Sequence, residues 1–287
     1  RTSHKSFERL EAFDILGKID VIRADLTDQI SLNKAIKDAQ PDEVYNLGAQ
    51  SFVGVSFEQP MHTSNVTGLG AIRLFEAVKE FSPDSKIYQA SSSEMFGNTD
   101  EIKNEDSRLY PASPYGIAKV FAHKSAQHYR KAYGMFISSG ILFNHESPYR
   151  GLEFVTRKIT SAIGNIISKK QDKIILGNIN AKRDWGFAGD YVKAMWLMLQ
   201  QETADDYVIA TGKSYSVETF LEKAFDYAGL GDWKKYVEIN EKYMRPSDID
   251  NLVGDASKAK KELDWEAEMP FEKLVKLMVE SDMPQNK

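Results

Sequence analysis

The chain has 287 residues, 42% of them hydrophobic and 28% charged, with a formal net charge of −5 and no cysteine. That balance fits a globular α/β chain with ample core and excludes disulfides, thiol nucleophiles and thiolate metal sites. The acidic balance, with no basic block, argues against a nucleic-acid binder; the lack of a membrane-length apolar run or signal peptide gives the expectation of a cytoplasmic protein with no membrane partner.

Strand and helix signals alternate from the start. Residues 18–26 (KIDVIRADL) read as a strand ending at Asp25, and 28–39 as an amphipathic helix. Residues 42–49 (DEVYNLGA) read as a strand running into a glycine turn, 61–81 as one long helix despite Gly68 and Gly70, and 84–93 as a strand ending in serines. Next comes SPYGIAK (113–119), where Ser113 suits a helix N-cap and Pro114 the first helical position. A strand over 135–144 and a helix near 154–169 follow. After these come the short strand IILGN, RDWGF, the helix AGDYVKAMWLMLQQ, the strand DYVIATG, a helix over 216–229, the segment KYVEINEKYMRP and two late helices. The alternation predicts α/β: a doubly wound, Rossmann-like parallel sheet with a smaller mixed α/β lobe. The expected division is a dinucleotide-binding part over 1–147, with 182–212 crossing back, and a substrate lobe from 148–181 and 213–287. Such sheets bind ligands beyond the carboxyl ends of their strands, where Asp25, the turn after Asn46, Ser91–Glu94 and Asn144–Glu146 fall.

Tyr115 and Lys119 are four apart and share a helix face. Alone, a Tyr-x-x-x-Lys is what a chain with 13 tyrosines supplies by chance, as a solvated surface pair. The cluster SSSEMFG (91–97) reads either as turn serines or as hydroxyls and a carboxylate at a ligand site. Together they suggest proton chemistry: an ammonium beside a phenol favours the phenolate and makes a general base. Ser92 can bond the same substrate oxygen, and Glu94 offers a second acid/base. His123 and His128 are five apart, poor spacing for a metal pair, and no metal site is expected. His4, His62, His123 and His128 read as structural or exposed, and TGKSYS (211–216) as a turn and helix start rather than a phosphate loop.

The chain resembles the extended short-chain dehydrogenase/reductases and, within them, the GDP-mannose 4,6-dehydratases. The resemblance is carried by YNLGAQSFV (45–53), YQASSSEMFG (88–97), YPASPYGIAK (110–119), GILFNHESPYRG (140–151), FVTRKI (154–159), LGNINAKRDWGFAGDYVKAMWLMLQ (176–200) and YMRPSDIDNLVGD (243–255). It implies NADP as cofactor and GDP-mannose as substrate. In the implied reaction, hydride leaves C4 of the mannose as Tyr115 takes the O4 proton. Glu94 removes the C5 proton and helps expel the C6 hydroxyl as water, and hydride returns to C6. Lys119 would bind the nicotinamide ribose. The implied cofactor contacts are Arg1, Asp25, Leu26, Leu47, Gly48, Ala49, Gln50, Ser51, Tyr115, Lys119, His145 and Arg150. The implied substrate contacts are Asn144, Val155, Lys158, Leu176, Gly177, Arg183, Arg245 and Asp248, with a surface or inter-lobe salt bridge as the other reading of Arg183. A homodimer or homotetramer is also implied.

Departures from the family pattern are Ser92 for Thr, Tyr149 for Arg, Phe187 for His, His62 for Tyr and Asp248 for Glu. The glycine turn GxxGxxG that holds a pyrophosphate is not in the sequence. The resulting expectation is an N-terminally truncated chain whose natural form carries about 40 more residues, the length of a βαβ opening. Two other readings stand beside the dehydratase: a related NAD(P)-dependent nucleotide-sugar epimerase or reductase, and an inactive nucleotide-sugar-binding fragment.

Overall fold

The computed structural model describes residues 7–99, 101–244 and 246–284. In chain order the elements are α1 (Glu8–Ala12), α2 (Gln29–Ala39), β1 (Glu43–Asn46), α3 (Val53–Glu58), α4 (Pro60–Thr63), α5 (Gly70–Phe81), β2 (Lys86–Ser92), α6 (Pro114–Tyr133), β3 (Ile137–Leu142), β4 (Asn144–Glu146) and α7 (Val155–Ile167). They continue with β5 (Ile174–Leu176), β6 (Lys182–Phe187), α8 (Ala188–Leu199), β7 (Asp206–Ile209), β8 (Ser214–Ser216), α9 (Val217–Tyr227), β9 (Val237–Ile239), β10 (Asn251–Leu252), α10 (Ser257–Leu263) and α11 (Phe271–Asp282).

The larger sheet runs β1-β2-β3-β7, all parallel. Helices cover both faces, as a parallel sheet requires. On one face Leu32, Ile36, Leu74, Phe75, Val78, Ala122 and Ala126 of α2, α5 and α6 pack over Ile87 and Ile137. On the other, Tyr191, Met195 and Met198 of α8 join Leu263 and Trp265 over Tyr88, Leu142 and Ile209. The fold is therefore the expected doubly wound α/β. The smaller sheet runs β10-β6-β4, with β8 antiparallel to β6, and β5 pairs β9 separately. Within 182–212, β6 stays in the smaller sheet while α8 and β7 join the larger one. A second core, from Ile159 and Ile163 through Trp185 and Phe220 to Leu274 and Met278, holds the lobe together.

Two expectations need correction. Residues 18–26 form no strand: a 3₁₀ turn at Leu16–Lys18 leads into irregular chain with Ile19, Val21 and Ile22 exposed. Alternation gives a segment one apolar face, but a strand also needs a partner for its N–H and C=O groups. Among the described residues β1 pairs only with β2, and 18–26 has no ladder partner. The helix expected over 61–81 starts at Pro60 and passes through π-helical turns at Ser64–Leu69. Its glycines serve close approach: a Cβ on Gly70 would meet Leu26 at 2.9 Å, and one on Gly68 would meet Phe121 of α6 at 3.2 Å. Among the described residues, no helix is long and apolar enough to cross a membrane.

Candidate active site

The carboxyl ends of β1, β2 and β3 open into a cleft of about 560 Å³ between the larger sheet and the smaller lobe. That volume is in the range of small-molecule sites. Its floor is built by β2 and α6. The β2 strand ends at Ser92, whose hydroxyl accepts from the Glu94 N–H at 3.3 Å and starts the 3₁₀ turn carrying Glu94. The Ser113 hydroxyl caps α6 by accepting from the Gly116 N–H at 3.0 Å, and Pro114 occupies its first turn. The helix then presents Tyr115 and Lys119 one turn apart, both buried.

Lys119 Nζ donates to the Ala90 carbonyl at 2.7 Å and lies 5.7 Å from the centre of the Tyr115 ring. Burial pulls the lysine pKa down to about 8. Burial pushes the Tyr115 phenol up to about 12; a hydrogen bond with Ser92 pulls it back, the Glu94 charge raises it and the Arg150 charge lowers it. So the expected lowering by Lys119 is not the dominant effect here. Desolvation of the phenolate outweighs it, and the cation that acts on the phenol is Arg150.

The second wall comes from β4 and the loop after it. His145 Nδ1 donates to the Phe143 carbonyl at 2.9 Å, so the proton sits on Nδ1 and Nε2 is an acceptor. Burial drops the pKa of this imidazole to about 4 and keeps it neutral. Glu146, fully buried, accepts from the Thr156 hydroxyl at 2.6 Å and faces Arg150 Nε at 3.3 Å. That guanidinium sits over Phe154, its carbon 3.6 Å from the ring centre. Its Nε is buried without an aligned hydrogen-bond acceptor.

The far end belongs to the smaller lobe. Lys158 Nζ donates to the Ile175 carbonyl at 2.7 Å and sits 4.7 Å over the Tyr243 ring. Arg183 is buried and donates to Asp248 at 3.1 Å and to the Ile249 carbonyl at 2.6 Å. Asn178 also donates to Asp248, at 3.3 Å. Arg183 therefore makes a salt bridge, but within the smaller lobe rather than between lobes, while still lining the cleft. Asp248 is engaged with the protein's own donors.

The structure brings Ser92, Glu94, Tyr115, Lys119, Leu47, Ala49, Ser51, Asn144, His145, Arg150, Val155, Lys158, Leu176, Gly177, Arg183 and Asp248 around this one cleft. It does not bring Asp25, Leu26, Gly48 or Gln50 to its lining. Asp25 accepts from the Thr27 N–H and hydroxyl, and a Cβ on Gly48 would meet Leu26 at 2.6 Å. Gln50 braces its own turn, accepting from the Phe52 N–H and donating to Thr63. Arg1 and Arg245 lie outside the described residues. Phe154 and Tyr243 line the cleft without having been singled out in the sequence, and Glu146, placed there at a strand end, had no role assigned. The sequence had no signal for the Ala90 carbonyl, a backbone atom.

A buried Tyr-x-x-x-Lys pair with a serine hydroxyl, at the carboxyl edge of a doubly wound sheet, defines a short-chain dehydrogenase/reductase-type centre. The structure is similar to that of RMD from Pseudomonas aeruginosa complexed with NADPH (TM-score 0.83, 21% identity, 96% of this chain and 94% of that one). It is also similar to the UDP-glucose 4-epimerase of Thermus thermophilus in complex with NAD (TM-score 0.85, 22% identity, 98% and 88%). At those identities the likeness shows the fold. The sequence profile of "GDP-mannose 4,6 dehydratase" matches residues 1–278. GDP-mannose 4,6 dehydratase 2 of Arabidopsis thaliana is 57% identical over 264 residues, covering 91% of this chain and 70% of that protein. The GDP-mannose 4,6 dehydratase of Homo sapiens is 44% identical over 288 residues, covering 94% and 77%. This chain belongs to the GDP-mannose 4,6-dehydratase family.

Proposed function

We propose that the chain is an NADP-dependent lyase that converts GDP-D-mannose to GDP-4-dehydro-6-deoxy-D-mannose with loss of water. Family membership supports the substrate and the cofactor. The observation that carries the chemistry is one cleft holding two separate proton-handling groups, Tyr115 and Glu94. A simple epimerase or reductase needs only the first.

The residues present fit the nicotinamide end of a dinucleotide. Lys119 and Tyr115 offer donors for ribose hydroxyls, neutral His145 offers an acceptor, and the Arg150 Nε is buried without an aligned partner. When bound, NADP supplies the acceptor and later the donor of hydride. This chain's own groups handle the protons. Ser92 hydrogen-bonds Tyr115 and holds its oxygen toward the sugar's O4, from which Tyr115 takes the proton. Arg150 favours the phenolate form of Tyr115 that accepts this proton. Glu94 takes the proton from C5, which a ketone at C4 acidifies, and passes it to the departing C6 hydroxyl; the proton that Tyr115 took from O4 is the one available to return to C5 in the product. Lys158 and Arg183 bind the diphosphate-linked nucleoside at the lobe end, where an ammonium and a guanidinium suit phosphate oxygens. A homodimer or homotetramer is part of the proposal, checked by light scattering.

The test is incubation of the purified chain with GDP-mannose, with and without NADP⁺, read by mass spectrometry. Loss of one water from the sugar nucleotide is expected. An intact substrate in the presence of NADP⁺ would overturn the activity proposed for this chain.

A further inference from the structure

The helix that carries Tyr115 and Lys119 continues the same stripe with His123 and Gln127, each one turn further on. All four reach back to the larger sheet. Tyr115 meets Ser92, Lys119 meets the Ala90 carbonyl, His123 meets Ser91 and Gln127 meets Asp206 at the start of β7. The proposed reaction uses the first two. His123 is buried, and its Nδ1 lies 2.9 Å from the Ser91 hydroxyl.

The partners fix the polarity of this chain. Gln127 Nε2 is 2.6 Å from an Asp206 oxygen, and Lys124 Nζ is 2.9 Å from Gln127 Oε1. A carboxylate only accepts and an ammonium only donates, so the amide's orientation is set. The same Nε2, a donor, lies 3.2 Å from His123 Nε2. That ring nitrogen must therefore accept, and Nδ1 must carry the proton and donate it to Ser91. Ser91 sits in β2 between Ala90 and Ser92, the residues whose carbonyl and hydroxyl serve Lys119 and Tyr115.

We propose that His123 is a positioning residue for the reaction: its Nδ1–H, donated to Ser91, fixes the end of β2 so that the Ala90 carbonyl meets Lys119 and the Ser92 hydroxyl meets Tyr115. The role rests on the dehydratase reading of Tyr115 and Lys119, yet it is testable without turnover. The charged groups facing His123 are Asp206 from β7 and Lys124 and Arg130 from its own helix. Lys119 faces the Ala90 carbonyl from β2, Tyr115 from its own helix and His145 from β4.

The experiment is competitive acetylation of the whole chain with acetic anhydride across pH, reading Lys119 by peptide mass spectrometry. Ser91→Ala and His123→Phe release the strand end, so the Lys119 ammonium loses its aligned acceptor inside a dry site. Its labelling midpoint should fall by about one pH unit, the worth of one hydrogen bond to a charged group. General loosening would admit water and move the midpoint up. His123→Asn places a donor N–H where Nδ1 stood and should restore the wild-type profile. An unchanged or raised midpoint in Ser91→Ala overturns the proposal, and this variant decides alone if His123→Phe does not fold. His123→Asn behaving like His123→Phe also overturns it, because ring volume would then matter rather than the N–H. Long-range ¹H–¹⁵N spectra should show the Nδ1–H tautomer; an Nε2–H tautomer overturns the geometry. Because no sugar nucleotide or cofactor enters these measurements, their failure is distinct from failure of the dehydratase reading.

Discussion

Replacing Lys119 with Met should stabilise the fold at neutral pH while removing the proposed activity. Lys119 is buried, and its pKa falls from 10.5 to about 8 because its site disfavours the ammonium. Between those values the unfolded chain holds a proton that the folded chain has shed, so stability rises with pH from about 8 to 10.5. Below pH 8 the fold carries the full penalty, about 3 kcal/mol at 1.36 kcal/mol per pH unit. Met fills nearly the same volume without a charge. It leaves the Ala90 carbonyl unpaired, which costs about 1 kcal/mol. The net gain at pH 7 is about 2 kcal/mol, or roughly 4 °C for a chain of this size. The assay is thermal unfolding by circular dichroism at pH 7 and pH 10 for both proteins. The Met variant should melt higher at pH 7, and the advantage should shrink as pH approaches 10.5. An equal gain at both pH values, or a lower melting temperature at pH 7, would refute the reasoning.

Glu94→Gln should cut water loss from GDP-mannose by at least about 100-fold, the usual worth of a positioned acid/base, measured by product mass; dehydration at the wild-type rate would remove Glu94 from its role. His145 gives an acid limb. Its pKa is 6.5 when unfolded and about 4 when folded, so its contribution is complete above pH 6.5 and lost as pH falls toward 4. The loss reaches about 3 kcal/mol, and His145→Gln should flatten that part of the urea-midpoint curve against pH; an identical slope in wild type and variant would contradict the buried neutral imidazole.

The site was legible where chemistry is written in side chains at short spacing. Ser113-Pro114 gave the helix start, and the four-residue step from Tyr115 to Lys119 gave their shared face; both stand in the structure. What the spacing could not give was the balance of forces after burial. Lys119 shares the helix face with the phenol, but desolvation and the Arg150 charge act on that phenol, and both depend on what the rest of the chain packs around it. The misread strand over 18–26 has a related cause. Its alternation is real, yet alternation records a preferred face and says nothing about who supplies the other half of a hydrogen-bond ladder. His123 shows the same limit most clearly. Sequence spacing could test it only against His128, its near neighbour in the chain, and so read it as structural or exposed. Its partners are Ser91, 32 residues back, and, through Gln127, Asp206, 79 residues beyond that glutamine. A parallel sheet brings such distant residues together because each crossover returns the chain to the same edge, so the polar contacts that orient a site of this kind are long-range by construction.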